Sequence, residues 1–412
     1  MNQTITLNDN RDSLLDALRG FAIFGIFFIN ITIMHSIFMF QDAYIGQFQD
    51  QVNLAVNRLL QLFFYNKFFP IFTFLFGLGL TLQMQAKMNK QQRYRGFFIR
   101  RMLILFVLGL LHCLLIWSGD VLHLYALLGL VSLALIKLLP RYLVFIAGCL
   151  LVFPYYGALA GMTLDAIPFV LEQSLIDYGE QGVIETIRQG TYAANVAFRW
   201  HEYLANLPML LFYLAPMALA MFCLGMAAGK STLKLGTKAW VEHFKRLAVL
   251  TFIVVNVYRV YFLWFLPETA LYQSDVLKPW WFKLMFLSDV LLGLTYIWLI
   301  AWLWHHTSMN KILSLFALVG RMALSHYLLQ SLIGLILFTQ VGFALYQRLS
   351  PVECFTIAFF TFGLQVLLSF YWLKYFKFGP FEWLWRCASY RTWFALKRNN
   401  DDNVAYQSTK NI

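Results

Sequence analysis

His112 falls inside an uninterrupted apolar run from Met102 to Trp117, and the chain turns at Ser118-Gly119-Asp120 into a second apolar run that carries His123 and Tyr125. An ionisable group at membrane depth costs about 2.5–3.5 kcal/mol on insertion scales, so a chain keeps one there for packing specificity or for chemistry. An imidazole can move a proton near neutral pH or carry an acyl group, and a neighbouring carboxylate orients it and stabilises its charged form. On two antiparallel helices joined near Ser118, His112 and His123 both lie roughly 8–9 Å below the turn. Asp120 precedes His123 by one helical turn on the same face. A lone membrane histidine is more often a hydrogen-bonded packing residue. Asp120 at the mouth of the hairpin raises the case for His112, whereas His123 also reads as an interface residue.

Other charged and polar residues sit where spans begin or break the apolar pattern. Asp16 and Arg19 are i, i+3 partners at the start of the first run, and their plainest role is an ion pair anchoring a helix end. Asn30, deeper in that run, suits helix–helix hydrogen bonding. Lys67 opens the second span beside Pro70 and can snorkel to an interface. Arg321, His326 and Gln330 lie in one apolar stretch; a buried guanidinium stays charged and needs an acidic partner or an anionic ligand. Arg100 and Arg101 stand at the foot of the helix that bears His112. With the other bases of 87–101 they serve as a topology signal, or they hold the phosphates of a nucleotide-containing donor.

The elements that must position these residues are membrane helices. The 412-residue chain is 60% hydrophobic and only 13% charged, with a mean hydropathy of +0.63, against about one-quarter charged in soluble domains. The expected fold is all-α: a polytopic bundle of about ten spans, near 14–35, 58–85, 101–118, 120–139, 141–160, 207–229, 246–266, 281–304, 313–339 and 352–376. Spans two and nine are long enough to tilt or kink, and Pro70 gives the second a reason to bend. Lys and Arg cluster after spans two and six and in the tail, which predicts cytoplasmic N and C termini. The net charge of +12 is read as that signal, not as a nucleic-acid surface. The bundle should occupy 1–376, with an extracytoplasmic loop at 161–206 containing short interfacial helices. A basic amphipathic segment on the inner leaflet follows at 377–399, then a disordered tail at 400–412. No cleavable signal peptide is expected. The five cysteines show neither disulfide nor zinc spacing, so no metal is expected.

With these residues in view, the chain resembles the YeiB-type bacterial integral membrane proteins, a family labelled as of unknown function. The stretches that carry the resemblance are RDSLLDALRGFAIFGIFFIN (11–30), NKFFPIFTFLFGLG (66–79), RRMLILFVLGLLHCLLIWSGDVLHLYALLG (100–129), GRMALSHYLLQS (320–331) and GPFEWLWR (379–386). The family is grouped with transmembrane acyltransferases, among them the lysosomal heparan-α-glucosaminide acetyltransferase and bacterial sugar O-acetyltransferases. The resemblance therefore implies transfer of an acyl group, acetyl first, from cytosolic acyl-CoA to an extracytoplasmic or lipid-linked glycan in the bacterial inner membrane. It carries onto Asp16, Arg19, Gly20, Asn30, Lys67, Arg101, His112, Asp120, Tyr125, Arg321, Gln330, Glu382 and Arg386. The expected roles are His112 as base or acyl carrier, Asp120 as its orienting carboxylate, and Arg19, Arg100, Arg101 and Arg321 on the donor. The family has Asn where this chain has His326, which argues against an essential acid–base role there. Expected partners are membrane lipids, the acyl donor and the acceptor, with a homodimer left open. The alternative is a transporter or exporter of a small molecule or lipid precursor that uses the same buried charges.

Overall fold

The computed structural model describes residues 13–89, 94–152 and 171–398, so the expected tail at 400–412, part of the basic loop, the end of the expected span 141–160 and residues 161–170 of the 161–206 loop lie outside the described residues. The architecture is all-α. In chain order the helices are α1 (Ser13–His35), α2 (Gln41–Gly46), α3 (Gln51–Phe63), α4 (Phe68–Asn89), α5 (Arg95–Leu115), α6 (Leu122–Leu135) and α7 (Pro140–Val152). They continue with α8 (Leu171–Gln189), α9 (Tyr192–Ala205), α10 (Leu207–Leu235), α11 (Thr237–Glu268) and α12 (Lys278–His306). The last four are α13 (Asn310–Gly320), α14 (Ala323–Phe338), α15 (Pro351–Tyr375) and α16 (Pro380–Tyr390).

Among the described residues, seven helical segments are long and apolar enough to cross a membrane, or eight if α13 and α14, bent by 75° at their junction, count as one. This is fewer than the ten expected. The two shorter apolar helices are α6 and α7; at 14 residues, α6 extends about 21 Å, short of a hydrocarbon core of roughly 30 Å. The turn that joins α5 to α6 is covered by protein. Arg199 and Tyr192, both on α9, donate to the carbonyl of Leu115 at 3.0 and 2.7 Å, which satisfies an acceptor that a helix C-terminus would otherwise leave open. The apolar exterior fits a multi-pass membrane protein: Val107 and Leu111 on α5, Ile253 and Val257 on α11, and Phe360 and Leu364 on α15 are all exposed, far more apolar surface than a soluble monomer shows.

The break in the second expected span does not come at Pro70. Pro70 lies in the first turn of α4, where its missing N–H costs nothing. The chain turns instead before α4, where Asn66 adopts φ 60°. The ninth span does break, and it does so at Arg321 and Met322.

α1 is the central post, buried along most of its length and packed on α4, α13, α14 and α15. Its crossing with α13 is set by two glycines. A Cβ on Gly20 would fall 1.9 Å from the Phe316 carbonyl oxygen, and one on Gly320 would fall 1.8 Å from that of Asp16. This contact holds together the helix ends whose Arg19 and Arg321 line one cavity, so the glycine of the Ala-Leu-Arg-Gly motif works through packing.

Candidate active site: an Asp–His hub above a basic cavity

Asp120 is the hub of the α5–α6 hairpin. Its Oδ1 lies 2.8 Å from His112 Nδ1 and accepts from the Tyr327 hydroxyl at 3.3 Å. Its Oδ2 accepts from the Leu122 backbone N–H at 2.9 Å and lies 3.3 Å from His123 Nδ1. All four side chains are buried. A carboxylate only accepts, so the short contact makes Nδ1 of His112 the donor; the lone pair of a neutral imidazole then sits on Nε2, which is buried and has no hydrogen-bond partner. His123 is tied at its other nitrogen to the Tyr203 hydroxyl, 3.2 Å away, and serves to join the hub to α9. Gly109 lets the two helices close: a Cβ there would sit 2.4 Å from the His123 backbone nitrogen and 3.0 Å from Asp120 Oδ2.

α9 covers this hub. Besides Tyr203 and Arg199, it contributes the buried carboxyl of Glu202, which Ser118 Oγ meets at 2.5 Å. Burial pushes that carboxyl up to about 7. This part of the 161–206 loop is therefore a folded lid over the hairpin.

A cavity of about 690 Å³ lies on the other side of Tyr327. It follows α4 from Lys87 to Phe72, about 22 Å along the helix axis. Arg19, Lys87, Arg101, Arg321 and Arg386 line it, against one carboxylate, Glu382, and its apolar end is made by Phe72, Phe76, Leu105, Leu122 and Tyr327. Arg19 is held by Asp16 at 2.9 Å. The Arg101 guanidinium lies 3.6 Å from the Trp385 ring centre, while the Trp385 indole donates to the Arg101 carbonyl at 2.9 Å. Glu382 accepts from the backbone N–H of Ser325 at 3.0 Å and from its hydroxyl, so α16 grips the N-terminus of α14 and docks along α5. The positive end of α14 thereby opens at Ala323 and Leu324 into the basic cavity.

The remaining expected site residues are placed elsewhere. Arg100 donates from Nε to the Ser389 carbonyl at 2.7 Å and lies outside the cavity lining. Adjacent helical residues point about 100° apart, so Arg100 and Arg101 cannot share one wall. Lys67 does not snorkel. It is fully buried in an ion cluster, 2.9 Å from Asp289 Oδ1, with Arg259 Nε 3.0 Å from the same oxygen. Sequence reasoning passed over Arg259 and Asp289, although single charges within apolar runs were the available signal. Tyr125 stacks on Phe69, Phe72 and Phe76. Gln330 donates to Gln365 at 3.1 Å and to the Ile23 carbonyl at 3.3 Å. Asn30 is buried on α1, outside the basic cavity. His326 Nε2 pairs with Ser369 Oγ at 2.6 Å.

Fold and site together define a multi-pass, all-α membrane protein with a buried Asp–His pair near the apolar end of a basic cavity. The chain is 31% identical to the uncharacterized protein YxaH of Bacillus subtilis over 94% of its own length and 96% of that protein's. It is 28% identical to the uncharacterized protein YeiB of Escherichia coli over 92% of this chain and 97% of that one. It belongs to this YeiB-type family. The family model described as "Protein of unknown function (DUF418)" matches residues 228–392. No solved structure matches the chain.

Proposed function

We propose that the protein is a multi-pass inner-membrane acyltransferase with both termini in the cytosol. It takes an acyl group, acetyl first, from cytosolic acyl-CoA and passes it to an extracytoplasmic or lipid-linked acceptor. The observation that carries this reading is the unpartnered Nε2 of a histidine whose Nδ1 is fixed by a buried carboxylate, one aromatic ring away from a long basic cavity. Five cations against one carboxylate suit a donor bearing several phosphates. The cavity's length and apolar end suit an extended thioester arm. His112 Nε2 takes the proton of the acceptor hydroxyl as its oxygen bonds to the acyl carbonyl carbon. The C–S bond breaks, and His112 returns the proton to the departing thiolate, leaving an ester and free CoA. For the two to meet, the acyl end must pass Tyr327, whose hydroxyl donates to Asp120 at 3.3 Å.

The test is release of CoA thiol from acetyl-CoA by purified protein in nanodiscs supplied with bacterial lipid extract. An exporter is the second reading, favoured by one feature: a broken span whose half-helix N-terminus faces the basic cavity. Efflux of a phosphorylated solute from proteoliposomes, without thiol release, would replace the first reading by the second.

A further inference from the structure

We infer that the acceptor reaches His112 sideways from the bilayer, as a lipid whose nucleophilic hydroxyl lies among hydrocarbon chains; this rests on the acyl-transfer reading above. His112 lines a second cavity of about 340 Å³, between α5, α14 and α15, on the opposite side from the basic one. Leu111, Leu115, Leu332 and Leu368 form its rim, and each is between 41 and 52% exposed. On a membrane bundle those exposed faces meet acyl chains, so the opening is continuous with the lipid. Its wall presents few polar groups. The Ser325 hydroxyl is engaged by Glu382 and His326 Nε2 by Ser369, which leaves His112 Nε2 and His326 Nδ1 as buried nitrogens without partners.

A soluble sugar would bring several hydroxyls into that space and lose their water for two acceptors, at about 1–3 kcal/mol for each group left unsatisfied. An alkyl or prenyl chain with one terminal hydroxyl loses nothing comparable and gains by staying in an apolar wall. The geometry thus gives each substrate its own route: the anionic donor along α4, the lipid acceptor between α5 and α14, with His112 and Tyr327 at the partition.

The test uses a long-chain alcohol carrying a photoactivatable diazirine in its chain, incorporated into nanodiscs with the full-length protein. Irradiation and peptide mapping should place the label on Leu111–Leu115 and Leu328–Leu332. Leu332→Trp, which fills the rim, should remove that label while CoA binding, the check on folding, persists; Leu368→Trp serves if the first variant does not fold. Label spread evenly over the exposed faces of α11 and α15, or label undiminished in a folded Trp variant, would overturn the lateral route. Site-selective label without any thiol release would retain the route and discard the acyl chemistry. Thiol release that responds to a soluble amino sugar equally in wild type and the Trp variants would retain the chemistry and discard the route.

Discussion

Asp120→Asn separates orientation of His112 from the packing of the hairpin. The carboxylate faces Leu122 N–H and His123 on one oxygen and His112 and Tyr327 on the other. An asparagine offers one acceptor oxygen. The Leu122 N–H can only donate, so it claims that oxygen and turns the amide NH₂ toward His112 Nδ1. His112 must then accept at Nδ1 and carry its proton on Nε2, the atom that should act as base. Loss of one charge-assisted bond costs about 1.5–3 kcal/mol of stability. Loss of general-base function costs about 10²–10⁴ in turnover. The assays are thiol release, thermal unfolding, and nitrogen NMR of labelled histidine for the tautomer. A folded Asp120→Asn protein with wild-type turnover, or one in which His112 still carries its proton on Nδ1, would refute the reasoning.

Other expected outcomes follow from the same geometry. Arg321→Ala should weaken CoA binding about 10–100-fold, the loss of one charge-assisted contact, whereas Arg100→Ala should leave it within a few-fold because that side chain serves Ser389; calorimetry reads both. Asp289→Asn should destabilise the fold by about 3–5 kcal/mol, since it strands two buried cations, and thermal unfolding in detergent measures this. Gly109→Ala should cost about 1–3 kcal/mol by overpacking the hairpin, with weakened His112–Asp120 coupling visible in the same NMR spectra. Glu202 favours its protonated form when folded, so the docking of α9 is strongest below the ordinary value of 4.5 and weakens as pH rises to about 7. The shift amounts to about 3 kcal/mol, flat above that pH. Hydrogen exchange of residues 192–205 at acid and mildly alkaline pH should show the loosening, and Glu202→Gln should abolish it.

Much of the site was legible because its signals are local. His112, Asp120 and His123 lie within one hairpin whose turn and helical rise already place both imidazoles at the same depth, and Asp16–Arg19 is a one-turn pair. The excess length of span nine left room for a tilt or a kink, and the structure shows a 75° bend there. What escaped depends on contacts between distant segments. Lys67 looks like an interface lysine until Asp289 and Arg259 arrive from α12 and α11, more than 190 residues away in the chain. The choice between Arg100 and Arg101 turns on helix rotation, which Trp385 and Ser389 of α16 fix. Among the described residues fewer helices reach span length than expected, because an apolar run does not say whether its end meets water or, as with α6, a protein lid.

The most direct measurement of the central claim is a pair of readings on one variant: CoA affinity and thiol release for His112→Ala in lipid nanodiscs. The expected result is affinity close to wild type, because the donor's cations lie beyond Tyr327, with thiol release reduced by about 10²-fold or more. Equal turnover in the variant and the wild type would contradict the account.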